Sequence, residues 1–180
     1  VTLLVLTLFL AVIWSMTFLG VRLLREDLKV QLGEQQFSTA SFIAAQINTE
    51  MTNRFSALES AITGIQPSDL VNTNRLQQRL EQNQYLAQLF NVGSYIARID
   101  GTSIASTFDN TGVNYKDRDY IIDGVAGIAS VSRAVVGRVT KAPVFVMAVP
   151  IRDLNGKVIA VLAGVTNLGA PNFLDKITKG

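Results

Sequence analysis

Residues Pro143-Val144-Phe145-Val146-Met147-Ala148-Val149-Pro150-Ile151-Arg152-Asp153-Leu154-Asn155-Gly156-Lys157-Val158-Ile159-Ala160-Val161-Leu162-Ala163-Gly164 decide the fold. Valine, isoleucine and phenylalanine crowd two runs, 142–151 and 157–168, and suit a pleated surface. Between them Arg152-Asp153-Leu154-Asn155-Gly156 is rich in turn formers, so the stretch reads as strand, turn, strand.

Working outward, the same pattern recurs upstream. Short β-rich runs cover 92–99 and 102–108, separated by Asp100-Gly101. That dipeptide predicts a tight hairpin of type I′, whose two central residues both need positive φ. Residues 109–114 read as a loop, 115–127 as a connection carrying a short helix across one sheet face, and 130–140 as a third strand candidate. Two strands, a helical crossover and three strands predict an α+β domain, with five antiparallel strands and helices packed on one side.

Farther upstream the periodicity changes. Ala40, Ala44, Ile47, Met51, Phe55, Leu58, Ile62 and Ile65 recur every three or four residues, the spacing of one helical face. The helix is expected to end near Gly64, before Gln66-Pro67. Its stripe serves equally as a core-facing surface or as a dimerising one. Asn74 with Gln77 three residues later resembles a capping box, and predicts a second helix carrying Leu76, Leu80, Leu86, Leu89 and Phe90.

From Val1 to Val21 there is no charge. A helix of that length reaches roughly 31 Å, against a bilayer hydrocarbon core of ~30 Å. The apolar region of a signal peptide is usually only ~7–15 residues and ends at a small-residue cleavage site, and no such site stands out here. The stretch reads as an uncleaved transmembrane helix. Arg22 and Arg25 follow it, on the side where the rest of the chain lies, against the usual cytoplasmic bias of basic residues.

Composition narrows the function. Sixteen basic and fourteen acidic residues give a net charge of +2 and are interspersed, so no basic stripe is available for nucleic acid. There is no cysteine and no histidine, which removes disulfides, thiolate chemistry, the usual general base and the commonest transition-metal ligand. Phosphate-loop, nucleophile-elbow and calcium-loop spacings are missing as well. Asp109, Asp117, Asp119 and Asp123 lie close in sequence but lack the spacing of a cation loop, so no metal and no cofactor is expected.

Four features together resemble the Cache family, PAS-like extracytoplasmic sensor modules of bacterial chemoreceptors, sensor histidine kinases and diguanylate cyclases. They are the N-terminal span, the long emergent helix, Tyr115-Lys116-Asp117-Arg118-Asp119-Tyr120, and the strand-turn-strand quoted above. The resemblance implies a transmembrane helix at 1–21, a signalling helix at 22–66, a sensor module at 67–170, and at 171–180 the start of a connection to a second module. It also implies a sensory region in the periplasm, anchored in the inner membrane of a bacterium, which binds a small molecule and itself has no enzymatic activity. A homodimer through the long helix is expected.

In amino-acid-sensing relatives an arginine, followed two residues later by an aromatic ring, holds the ligand carboxylate, while a carboxylate on the final strand holds its ammonium. Arg118 and Tyr120 match the first part. The guanidinium offers a rigid fork to a carboxylate and the phenol a hydrogen bond. Thr166 stands where the second carboxylate belongs, so the resemblance implies a small organic acid without an ammonium group. Tyr115, Lys141, Phe145, Thr166 and Asn167 complete the candidate site. Each has an ordinary structural alternative: core rings for the tyrosines and Phe145, a surface charge for Lys141 and Arg118, and a strand-end role for Thr166 and Asn167. The competing functional reading is a membrane-anchored protein-interaction domain without a small-molecule ligand.

Overall fold

The computed structural model describes the backbone of residues 2–178 and the side chains of Phe9, of residues 13–18 and 34–175, and of Ile177. The chain divides into two units, 1–46 and 47–180. Both contain part of α1, Thr2–Ile62. In the first unit the described side chains, among them Trp14, Phe37 and Phe42, are exposed apart from the half-buried Ile43. Among the described residues no helix is long and apolar enough to cross a membrane. The span predicted at 1–21 falls mostly on residues whose side chains lie outside the described set.

The second unit is α+β. Its sheet is antiparallel, in the order β2-β1-β6-β5-β3, with β4 also pairing with β5. The strands are β1 Gly93–Arg98, β2 Ser103–Ser106, β3 Ser130–Val131, β4 Val135–Val136, β5 Pro143–Arg152 and β6 Val158–Asn167. The decisive hairpin is β5–β6, with Val144 opposite Asn167 at one end and Ile151 opposite Ala160 at the other. Gly156, at φ +80°, makes its turn. The stretch 130–140 forms two two-residue strands rather than the single strand expected. The reason is local: the Ser132 hydroxyl accepts from Val146 N at 2.9 Å while Ser132 N donates to Val146 O, and the chain then leaves the ladder at Arg133-Ala134.

Strand alternation gives the sheet two faces. On one, Tyr95, Ala97, Val144, Val146, Ala148, Val161, Ala163 and Val165 form a core with Tyr115, Tyr120 and Ile121. The last two belong to α4, Asp119–Val125, whose Gly124 comes so close to Val161 that a Cβ there would lie 2.7 Å from its Cγ1. On the other face Gly164 lies under the ring of Phe90, and Phe145 meets Phe173 of α5, Phe173–Thr178, at 5.8 Å. Helices therefore cover both faces, not one.

The helical stripe is covered progressively. Ala40 and Ala44 are exposed, Ile47, Met51 and Phe55 are half-buried, and Leu58 is fully buried. Gly64, at φ +80°, follows the end of α1 as expected.

Two local expectations are corrected. Asn74 caps nothing: α2, Thr73–Gln82, starts before it, and Gln77 reaches across to β2, accepting from Ser106 N at 2.7 Å and donating to Ser106 O. The second helix also breaks at Asn83, whose side chain accepts from Leu86 N and starts α3, Gln84–Leu89. At Asp100-Gly101 only the glycine has positive φ, +85°. Gly101 N donates to Arg98 O, giving a three-residue loop in place of the type I′ turn. Asp100 accepts from Thr102 N, and this bond holds its carboxyl below the ordinary carboxylate range.

Candidate ligand-binding site

The face bearing the tyrosine core contains a cavity. Its floor is Tyr95 of β1, Val144 and Val146 of β5, and Val165 of β6; Tyr115, Arg118 and Tyr120 form one wall and residues 135–140 the other. The free space is about 20 Å³, enough for a water molecule.

Each polar group here is placed by its element. Arg118 sits at the N-cap of α4 in extended conformation, so its side chain leaves the helix toward the opposite wall, where Nη2 donates to Val136 O at 3.2 Å. Its Nε is buried with no partner, as is the hydroxyl of Thr140 across the cavity. Tyr120, two residues on, faces the sheet, and the Tyr95 hydroxyl donates to its oxygen at 3.1 Å. The ring of Tyr115 packs at 4.9 Å from that of Tyr95, and its hydroxyl accepts from Asn110 Nδ2 at 3.2 Å.

Burial raises the pKa of all three phenols. The effect is greatest at Tyr95, where the neighbouring Tyr120 adds to it. The hydroxyls are therefore neutral at physiological pH and able to donate. Among the lining residues the charged groups are Arg118 and Arg138, and no carboxylate is present. A cavity with two guanidinium groups, neutral hydroxyls and a valine floor suits an anion with an apolar body.

Of the residues singled out in the sequence, Arg118, Tyr115 and Tyr120 converge on this cavity. Phe145 and Thr166 do not. They are paired across β5 and β6 on the opposite face, because Val144, Val146 and Val165 take the inward positions. Thr166 instead lines a cleft with Arg54, Asn91 and Phe173. Asn167 ends β6, where its backbone N–H donates to Asn91 Oδ1 at 2.7 Å and its own Oδ1 accepts from Gly169 N. Lys141 is exposed, at φ +53° in the loop before β5.

The sequence reading missed Tyr95, Phe108, Arg138 and Thr140. Alternation along β1 places Tyr95 on the Val144–Val165 side only once the register with β6 is known, and a single strand over 130–140 gives Arg138 no approach to Tyr115 and Asp117.

Comparison with solved structures now bears on this arrangement. The chain is similar to an extracellular ligand-binding receptor from Desulfohalobium retbaense DSM5692 (TM-score 0.62, 17% identity, covering 77% of this chain and 26% of that one). It is also similar to the sensor domain of the histidine kinase DctB of V. cholerae (TM-score 0.60, 18% identity, 84% and 60%). A third is the ligand-binding domain of the amino acid chemoreceptor PctC of Pseudomonas aeruginosa PAO1, solved in complex with GABA (TM-score 0.61, 23% identity, 84% and 67%). The chain shares the fold of these ligand-binding and sensor domains. It spans about a quarter of the first of these structures and three fifths of the second. No family model matches the sequence, and no curated protein does. Within this fold the cavity described above lies between the sheet and the segment leading into α4.

Proposed function

We propose that this chain is the small-ligand-sensing region of a transmembrane signalling receptor, that its sensor module lies outside the cytoplasm, and that it binds a small organic acid in the Arg118 cavity. The observation that carries the reading is the pair of buried polar atoms without partners, Arg118 Nε and Thr140 Oγ1, on opposite walls of one cavity. A buried donor without an acceptor costs about 1–3 kcal/mol, and a bound carboxylate removes that cost. The PctC domain binds GABA, a carboxylate whose amine stands away from its acid group, and the fold is shared. Here the lining offers nothing acidic to an ammonium, which favours an acid without one.

The rest of the reading extends from there. Residues 1–21 anchor the chain in the bacterial inner membrane, 22–66 carry the signal, 67–170 sense, and 171–180 lead toward a second module. The exposed part of the helical stripe pairs two copies in a homodimer. The ligand biases signalling through its different affinities for two conformations of the module. Catalysis belongs to other parts of the receptor.

A thermal-shift panel of small organic acids, amino acids and amines tests the proposal. An acid that raises Tm in the wild type and has no effect on Arg118→Ala supports it. A panel in which only amines act, or in which the variant responds equally, contradicts it.

A further inference from the structure

The cavity has a wall that is built differently from the others. β5 and β6 pair continuously from Val144–Asn167 to Ile151–Ala160, so the floor is rigid. Residues 132–142 are attached more sparsely. Of these residues only Val135 and Val136 lie in a strand, β4; Arg133 and Ala134, between β3 and β4, are exposed, and the loop beyond β4 closes on itself through Gly137 N to Ala142 O and Lys141 N to Gly137 O. Lys141 holds a left-handed φ of +53°, which a lysine adopts at some cost.

This segment is pinned to residues 114–119 by three arginines. Arg133 Nη2 reaches Asp119 Oδ2 at 3.4 Å, with both side chains largely exposed. Arg118 donates to Val136 O. Arg138 donates to Asn114 O at 2.5 Å through Nη1, and Nη2 reaches both carboxylate oxygens of Asp117 at 2.5 Å. The free space they enclose, about 20 Å³, holds about one water molecule, and any organic acid is several times larger. A ligand enters only if a wall moves; the opposite wall is anchored in the core by the buried Tyr115, Tyr120 and Ile121, whereas 132–142 holds to the sheet by the short strand β4 and the bonds of Ser132.

We propose that residues 132–142 form a strap that opens to admit ligand, and that the Arg138–Asp117 ion pair is its latch. Arg138 is then a positioning residue, holding Val136 and Thr140 against the cavity. The inference rests on the cavity being the ligand site, but strap opening is measurable without any ligand.

The strap contains three trypsin sites, after Arg133, Arg138 and Lys141. Limited trypsin digestion of the full chain compares wild type, Asp117→Asn and Asp117→Glu, with cleavage after Arg75 and Arg79 in α2 as the internal reference. Asp117→Asn is expected to speed cleavage after Arg133 and Lys141 roughly two- to fivefold, the range of a partly exposed ion pair, with the reference bonds unchanged and Asp117→Glu restoring protection. Equal rates in Asp117→Asn and wild type overturn the latch, as does a uniform rise at every site. The thermal-shift panel fails or succeeds separately.

Discussion

The Tyr95 and Tyr120 hydroxyls meet at 3.1 Å beneath the cavity, joining strand β1 to the first turn of α4. Both phenols are buried, and both pKa values lie above the ordinary 10.0. Below that pH they are neutral whether the chain is folded or not. Above it the unfolded chain loses protons that the folded one keeps, so stability falls as pH rises through the folded values. The expected outcome is a Tm that declines steadily above about pH 10, with a shallower slope in Tyr95→Phe because that hydroxyl is the more strongly perturbed.

Thr166 and Val165 are neighbours in β6 that serve opposite faces of the sheet. Thr166→Val is therefore expected to leave the affinity for an acid bound at Arg118 within about twofold of wild type, as titration calorimetry will show. A loss of tenfold or more would place the ligand on the wrong side of the sheet in this account.

Gly164 gives a third prediction. An added Cβ would lie 2.5–2.7 Å from three carbons of the Phe90 ring, which is itself buried at the end of α3. Gly164→Ala forces the ring or the strand to shift and is expected to cost about 1–3 kcal/mol, measured as a lower urea midpoint. An unchanged midpoint would mean that Phe90 repacks freely.

The sheet was legible in the sequence because its central strands are unmixed. The 143–164 stretch is β-rich on both sides of a glycine turn, and nothing in it supports another period. The long helix was legible for the same reason, with Leu58 buried where the stripe placed it. Long-range pairing was not legible. Gln77 looked like a cap partner because its true partner, Ser106, lies 29 residues away, and no local rule favours that contact. The site divided along the same line. Arg118 and Tyr120 stand on one short segment and could be read together, whereas Arg138 joins them only through long-range contacts, to Asp117 and Asn114. Thr166 enters the candidate site by its match to the family's final-strand carboxylate and Phe145 by alternation along its strand, and one residue of register decides which face each serves.

Leu58 tests the part of α1 that belongs to the sensing unit. It is fully buried, so Leu58→Ala opens a cavity and is expected to destabilise the fold by about 2–5 kcal/mol in chemical unfolding. Truncation at an exposed position of the same helix, Phe42→Ala, is expected to change stability by less than about 0.5 kcal/mol.

The most direct test of the central claim is calorimetric titration of the full chain with the strongest acid from the thermal-shift panel, repeated on Arg118→Ala. The account predicts saturable binding, one ligand per chain, that becomes undetectable in the variant. The same affinity in both proteins would show that the guanidinium of Arg118 does not hold the ligand, and the sensing site would have to be sought elsewhere in the fold.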